Sequence, residues 1–290
     1  MKPVYALFLL LAACAAPNNL TSPSVDETPT AAIEAVPLVL NGEMIQGAMI
    51  IGETAPGAMV RLDGKNVRIA PDGHFVFGFG RDFEGPATLA IALNGAERVE
   101  RLDVGKREYK IQRIDGLPPK MVTPPAEVLD RIKREGALIA AARARDTPGG
   151  WFLADFIWPA NGIISGVYGS QRILNGEPRR PHFGLDVAAP AGTPVFEVAG
   201  GMVALAEADL YFTGGTIMID HGHGVTSVYM HLQSVEVSVG QTVAQGDRIG
   251  TIGSTGRATG PHLDWRMNWF SERLDPAFLV SPTPDPLAQD

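Results

Sequence analysis

Short apolar runs broken by turn dipeptides leave this chain room for many strands and few helices. Between residues 38 and 113, the runs Ala48-Met49-Ile50-Ile51, Met59-Val60-Arg61-Leu62, His74-Phe75-Val76-Phe77 and Thr88-Leu89-Ala90-Ile91 are separated by Asp63-Gly64, Asp72-Gly73 and Asn94-Gly95. Such pairs tolerate positive φ and close tight hairpins, so 38–113 is expected to be a small antiparallel β-sandwich-like domain. It carries no reactive constellation and reads as a spacer or binding module; His74 follows a turn glycine and reads as a surface residue. Strands are expected again at 195–198, 202–206, 216–220, 225–232, 248–252 and 262–269. Residues 151–280 should therefore form a second domain, a twisted antiparallel sheet. Between the two, Pro118-Pro119 and Pro124-Pro125 mark a break. Residues 126–145 then space Val128, Ile132, Leu138 and Ile139 among basic residues, which predicts one amphipathic helix within a 114–150 linker. The fold class is mostly β.

The two ends lie outside these units. Lys2 precedes an apolar run over 4–16, shorter than the roughly 20 residues a membrane-spanning helix needs, so 1–13 reads as a signal peptide. It ends in Leu11-Ala12-Ala13-Cys14, which resembles a bacterial lipobox. Cys14 is the only cysteine, which excludes disulfides within the chain and any thiolate metal site. Lipidation at Cys14 would anchor the chain to a membrane. Residues 14–37, rich in Pro, Ser, Thr and Ala, read as a flexible tether. Residues 281–290 read as a tail. A net charge of −8 argues against a nucleic-acid partner, since such binding needs basic patches.

Five of the six histidines lie between 182 and 262. Histidine and carboxylate clustered in a chain without a usable thiol suggest zinc. In Pro181-His182-Phe183-Gly184-Leu185-Asp186, a fully extended backbone would hold the His182 and Asp186 Cα atoms about 13 Å apart. Shared ligation thus demands a bend, which Gly184 can supply; a turn histidine with a capping aspartate is the other reading. In 227–232, alternation places Tyr229 and His231 on one face, so His231 is either a proton carrier at a strand end or a surface histidine. In 262–269, His262, Asp264, Arg266 and Asn268 share one face, while Leu263, Trp265, Met267 and Trp269 share the other and should be core.

These elements, with Trp158-Pro159, Gly169-Ser170-Gln171-Arg172, Pro190-Ala191-Gly192-Thr193-Pro194-Val195, Ile219-Asp220-His221-Gly222, Tyr229-Met230-His231-Leu232, Thr259-Gly260-Pro261-His262 and Leu274-Asp275-Pro276, resemble the lysostaphin-type (LytM-type) zinc endopeptidases of bacterial cell walls. The resemblance spans about residues 157 to 280. It implies Zn2+ as cofactor, His182 and Asp186 as metal ligands, and His231 and His262 as catalytic histidines. Arg172 and Tyr229 would bind substrate. Where the family has its third ligand, a histidine, this chain has Asp264. A carboxylate oxygen reaches about as far as Nδ1 of a histidine, so metal binding is expected to be retained but altered. His221 matches a position that does not ligate, and His223 is not expected to ligate either. Arg179 and Arg180 read as solvated loop charge. The implied activity is hydrolysis of amide bonds in peptidoglycan stem peptides or cross-links. The alternative is a catalytically weakened module that binds cell wall and activates or recruits a cell-wall amidase or another division partner. The expected place is the cell envelope: lipid-anchored, facing the periplasm, at the outer membrane.

Overall fold

The computed structural model describes residues 36–114, 126–174 and 176–282. Cys14, the signal segment and most of the tether lie outside the described residues, as do the two proline pairs and the chain end from 283.

The first domain is a sandwich. One sheet orders Leu38–Asn41, Met49–Thr54 and His74–Gly78; the other orders Lys65–Val67, Met59–Leu62, Pro86–Leu93 and Ala96–Asp103. Two of the three dipeptides close hairpins, Asp63-Gly64 (φ 48° and 75°) and Asn94-Gly95 (φ 49° and 84°), whereas Asp72-Gly73 lies in the turn that passes from one sheet to the other. Phe75, Phe77, Leu89 and Ile91 fill the space between the sheets.

The reading of this domain as a spacer needs correction. Strand His74–Gly78 is buried on both faces. Phe75 and Phe77 point into the sandwich, but Val76, with Met49, packs into the core of the second domain beside Trp158 and Leu274. A side chain at Gly78 would strike Leu274. Moreover, Ile111–Ile114 pairs in parallel with Gln171–Leu174, so the end of the predicted sandwich segment belongs to a small sheet of the second domain. Residues 35–290 form one unit.

The helix is Leu129–Arg143, inside the predicted span. Its Ala142 and Ile139 pack against Leu205, Leu210, Met218, Val228 and Met230. The other main element is a sheet in the order Thr242–Val243, Gly201–Leu210, Gly214–Gly222, Val225–Val235, His262–Trp269, Leu185–Ala188, Ile163–Gly166. Strand Arg248–Ile252 joins Pro194–Phe196 to Val225–Val235, and Glu272–Leu274 joins His262–Trp269. Three of the four predicted core residues, Leu263, Trp265 and Met267, are wholly buried, while Trp269 is only partly buried.

A polar network lies inside this core. Tyr229 donates its hydroxyl proton to Glu197 Oε2 at 3.1 Å, and the Nδ1–H of His221 donates to the Gly200 carbonyl at 2.6 Å while Nε2 accepts from the Ser227 hydroxyl at 2.9 Å. Burial lifts the Glu197 carboxyl to about 7 and lowers His221 to about 4. Between about pH 4.5 and 7 the folded chain keeps a proton on Glu197 that the unfolded chain releases, so this group weakens the fold as pH rises. His221 acts in the opposite sense, because below about pH 6.5 the unfolded chain binds a proton that the folded chain refuses. The two slopes mask each other in the native protein. Removing one exposes it: beyond a constant offset, the stability gained by Glu197→Gln over the native chain should widen from pH 4.5 to pH 7 by about 3 kcal/mol. Denaturant unfolding at several pH values would measure this gap, and a pH-independent gap would refute the assignment.

Candidate metal and catalytic centre

The centre is built by register. Asp186 on Leu185–Ala188 sits directly across from Asp264 on His262–Trp269, and Asp264 in turn sits across from Met230. Directly opposed residues project to the same side of a sheet, so both carboxylates emerge together. His182 arrives from outside the strand. Its backbone N–H donates to Ser170 and its carbonyl accepts from Gly169. Its Nδ1–H donates to the Val167 carbonyl at 3.3 Å, which turns Nε2 toward the carboxylates. The bend predicted at Gly184 is a close approach: a Cβ there would collide with the Trp265 carbonyl and crowd Asp264 Oδ1. Only glycine lets the 182–186 segment lie this near the neighbouring strand.

The resulting geometry suits a metal ion. His182 Nε2 lies 3.0 Å from Asp186 Oδ1 and 3.4 Å from Asp264 Oδ2. Ligands held at about 2.0–2.2 Å in a tetrahedron sit about 3.3–3.6 Å from one another. His182 Nε2 and Asp186 Oδ1 are both buried and face each other at ion-pair distance, out of line for a good hydrogen bond. A buried nitrogen and carboxylate oxygen held face to face without good hydrogen-bond alignment are placed so that a cation between them could bond to both. Among the described residues, His182, Asp186 and Asp264 are the one group able to converge on a metal. Burial by itself would lower the His182 pKa, but the carboxylates of Asp186 and Asp264 outweigh it and raise it to about 10. A field that draws a proton to Nε2 draws a cation there too.

His231 and His262 flank this group, with ring centroids 4.8 Å apart. The Nδ1–H of each donates to a main-chain carbonyl, His231 to Thr255 at 2.9 Å and His262 to Gly260 at 2.8 Å. Each ring therefore leaves Nε2 free, and that of His262 lies 3.9 Å from Asp186 Oδ1. Burial lowers the His231 pKa, which favours the neutral ring.

Strict alternation misplaces His231. It has φ 64°, a left-handed conformation that costs a non-glycine residue roughly 1–2 kcal/mol. This break swings the ring off the Tyr229 face and toward His262. Tyr229 is thereby corrected as well: it is wholly buried, with its hydroxyl committed to Glu197, and cannot touch a substrate. The Arg172 side chain lies outside the described residues; its backbone is in strand Gln171–Leu174. His221 is buried in its own network, and His223 packs on Phe152. Arg179 is half-buried, with its Nε out of contact with solvent. One partnership escaped the sequence reading. Arg266 grips Asp264 with two hydrogen bonds, and the only signal was their spacing of two on one strand face.

A model of peptidase family M23 matches residues 180–276, which contain every residue of this centre. A crystal structure from Pseudomonas aeruginosa described as a peptidase M23 aligns over 82% of this chain and 95% of its own, with 32% identity and a TM-score of 0.64. The chain belongs to peptidase family M23. M23 relatives include the peptidoglycan DD-endopeptidase ShyA of Vibrio cholerae, 40% identical over 102 residues (32% of this chain, 24% of that protein). Another is the cell division protein DipM of Caulobacter vibrioides, 35% identical over 127 residues (44% of this chain, 20% of that protein). The chain thus spans about a fifth to a quarter of the length of these two relatives.

Because Gly184 sets the approach of His182 and Asp186 to Asp264, Gly184→Ala should weaken metal binding at least tenfold while the fold survives. Metal titration against a chromophoric chelator, with circular dichroism as the fold control, would check this; unchanged affinity would refute the role given to Gly184.

Proposed function

We propose that the chain is a zinc-dependent endopeptidase that hydrolyses amide bonds in peptidoglycan stem peptides or cross-links. The observation that carries this reading is the convergence of His182 Nε2 with Asp186 Oδ1 at 3.0 Å and Asp264 Oδ2 at 3.4 Å, with two oriented histidines next to them. His182, Asp186 and Asp264 would hold the ion, in the three-ligand arrangement of catalytic zinc. Zinc bound there supplies Lewis acidity toward a carbonyl oxygen and a lowered pKa for water. His231 and His262, each with Nδ1–H tied to the main chain, present Nε2 to the substrate. As neutral rings they accept a proton and return it to the departing amine. As imidazolium ions they donate to an oxyanion. The relative named a peptidoglycan DD-endopeptidase supports the substrate class.

The lipobox-like run ending at Cys14 supports lipid attachment to a membrane, and Ala15, standing where a retention signal would place Asp, supports the outer membrane, with the catalytic unit facing the periplasm. Arg172 remains a proposed substrate contact on its place in the family motif.

One observation favours the rival reading. Both oxygens of Asp264 are already engaged by Arg266, as they would be in a module that has given up turnover and recruits an amidase instead. Mass spectrometry of muropeptides incubated with the chain from Ala15 onward separates the two. Cleavage products lost on chelation and in His231→Ala are expected. Intact muropeptides in the presence of zinc would overturn the endopeptidase and leave the recruiting module.

A further inference from the structure

Arg266 stands on the catalytic face without an assigned role. It lies two residues from Asp264 on strand His262–Trp269, so the two side chains leave the same face. The guanidinium meets the carboxylate as a fork, with Nε donating to Oδ1 at 2.8 Å and Nη2 to Oδ2 at 2.6 Å. The Asp264 side chain is 5% exposed and that of Arg266 24%, so the pair is largely withdrawn from water, where such forks are strong and directional. A carboxylate has about four lone-pair sites. The fork takes one on each oxygen and leaves Oδ2 a second, and His182 Nε2 lies 3.4 Å from that atom.

Charge points the same way. With a neutral imidazole at 264, Asp186 would be the only charged residue among the three ligands. Aspartate adds a second negative charge, and the guanidinium beside it cancels that charge. The protein's net contribution at the centre then equals that of two imidazoles and one carboxylate. Arg266 holds this place although Arg143, Arg180 and Arg273 lie near enough for mutual repulsion. A fourth cation among them costs free energy, which the contact with Asp264 offsets.

We propose that Arg266 is a positioning residue that makes Asp264 usable as the third metal ligand. It holds the carboxylate toward His182 and Asp186 and takes up its additional charge. The inference rests on the zinc-site reading above. The competing account is that the guanidinium blocks the metal by occupying Asp264 itself.

Zinc affinity distinguishes these accounts without recourse to turnover. The chain from Ala15 onward, which contains the whole 35–290 unit, would be titrated with zinc against a chromophoric chelator. Partners that orient ligating carboxylates are worth 10–100-fold in metal affinity, so Arg266→Gln should weaken zinc binding by about that factor. In an Asp264→His background, the same substitution should change affinity less than threefold, because a neutral ligand needs no compensating cation. Arg266→Lys, which keeps the charge and loses the fork, should fall between native and Arg266→Gln. Unchanged or tighter binding in Arg266→Gln would overturn the proposal and establish competition. An equal loss in the Asp264→His background would also overturn it, since a merely damaged fold behaves that way. Failure of the native chain to bind zinc would overturn the zinc reading together with this role, whereas equal binding with and without Arg266 would overturn the role alone.

Discussion

Two carboxylates forced side by side organise the catalytic half of this molecule. The antiparallel register between Leu185–Ala188 and His262–Trp269 sets Asp186 directly across from Asp264, partly out of water. Such a pair repels itself and gains stability only when cations or strong donors surround it. His182 is pulled over both carboxylates, and Arg266 forks onto one of them. Gly184 and Gly166 are small where the Asp264 and Asp186 side chains come closest. The same negative field that gathers these groups would attract a metal cation.

The rest of the fold keeps that arrangement rigid. Trp265 lies between Asp264 and Arg266 in sequence but points the other way, into the main core with Leu263 and Met267. Burying such a stripe pins the strand's register, because a one-residue slip would exchange core and site. The sandwich adds a further layer, with Val76 and Met49 reaching across to the core that carries Trp158 and Leu274. On the opposite face of the sheet from that core, the helix covers Met218, Val228 and Met230. The strand that carries Asp264 and Arg266 thus rests on an apolar floor formed by Leu263, Trp265 and Met267.

Replacement of the third ligand histidine by Asp264 acquires meaning in this setting. Considered alone, a second carboxylate lowers the net positive charge of a zinc centre and weakens it as a Lewis acid. Considered with Arg266, whose fork onto Asp264 brings a positive charge beside the second carboxylate, the pair contributes no net charge to the centre.

Much of this was legible from residue order. Turn dipeptides located the hairpins, alternation separated the Leu263–Trp265–Met267 core from the His262–Asp264–Arg266 face, and clustering singled out His182, Asp186, His231 and His262. These are local properties, set by backbone sterics and a period of two. What only the tertiary structure decided are the departures from that period and the contacts across it. His231 turns to the catalytic face because its left-handed backbone is held there, with its N–H on the Thr213 carbonyl and its ring on Thr255. Tyr229, on the same strand, is drawn into the core by Glu197. The sandwich becomes part of the molecule's body because one strand buries both faces. Each of these outcomes depends on a partner distant in sequence, and no local pattern encodes which partner will be there.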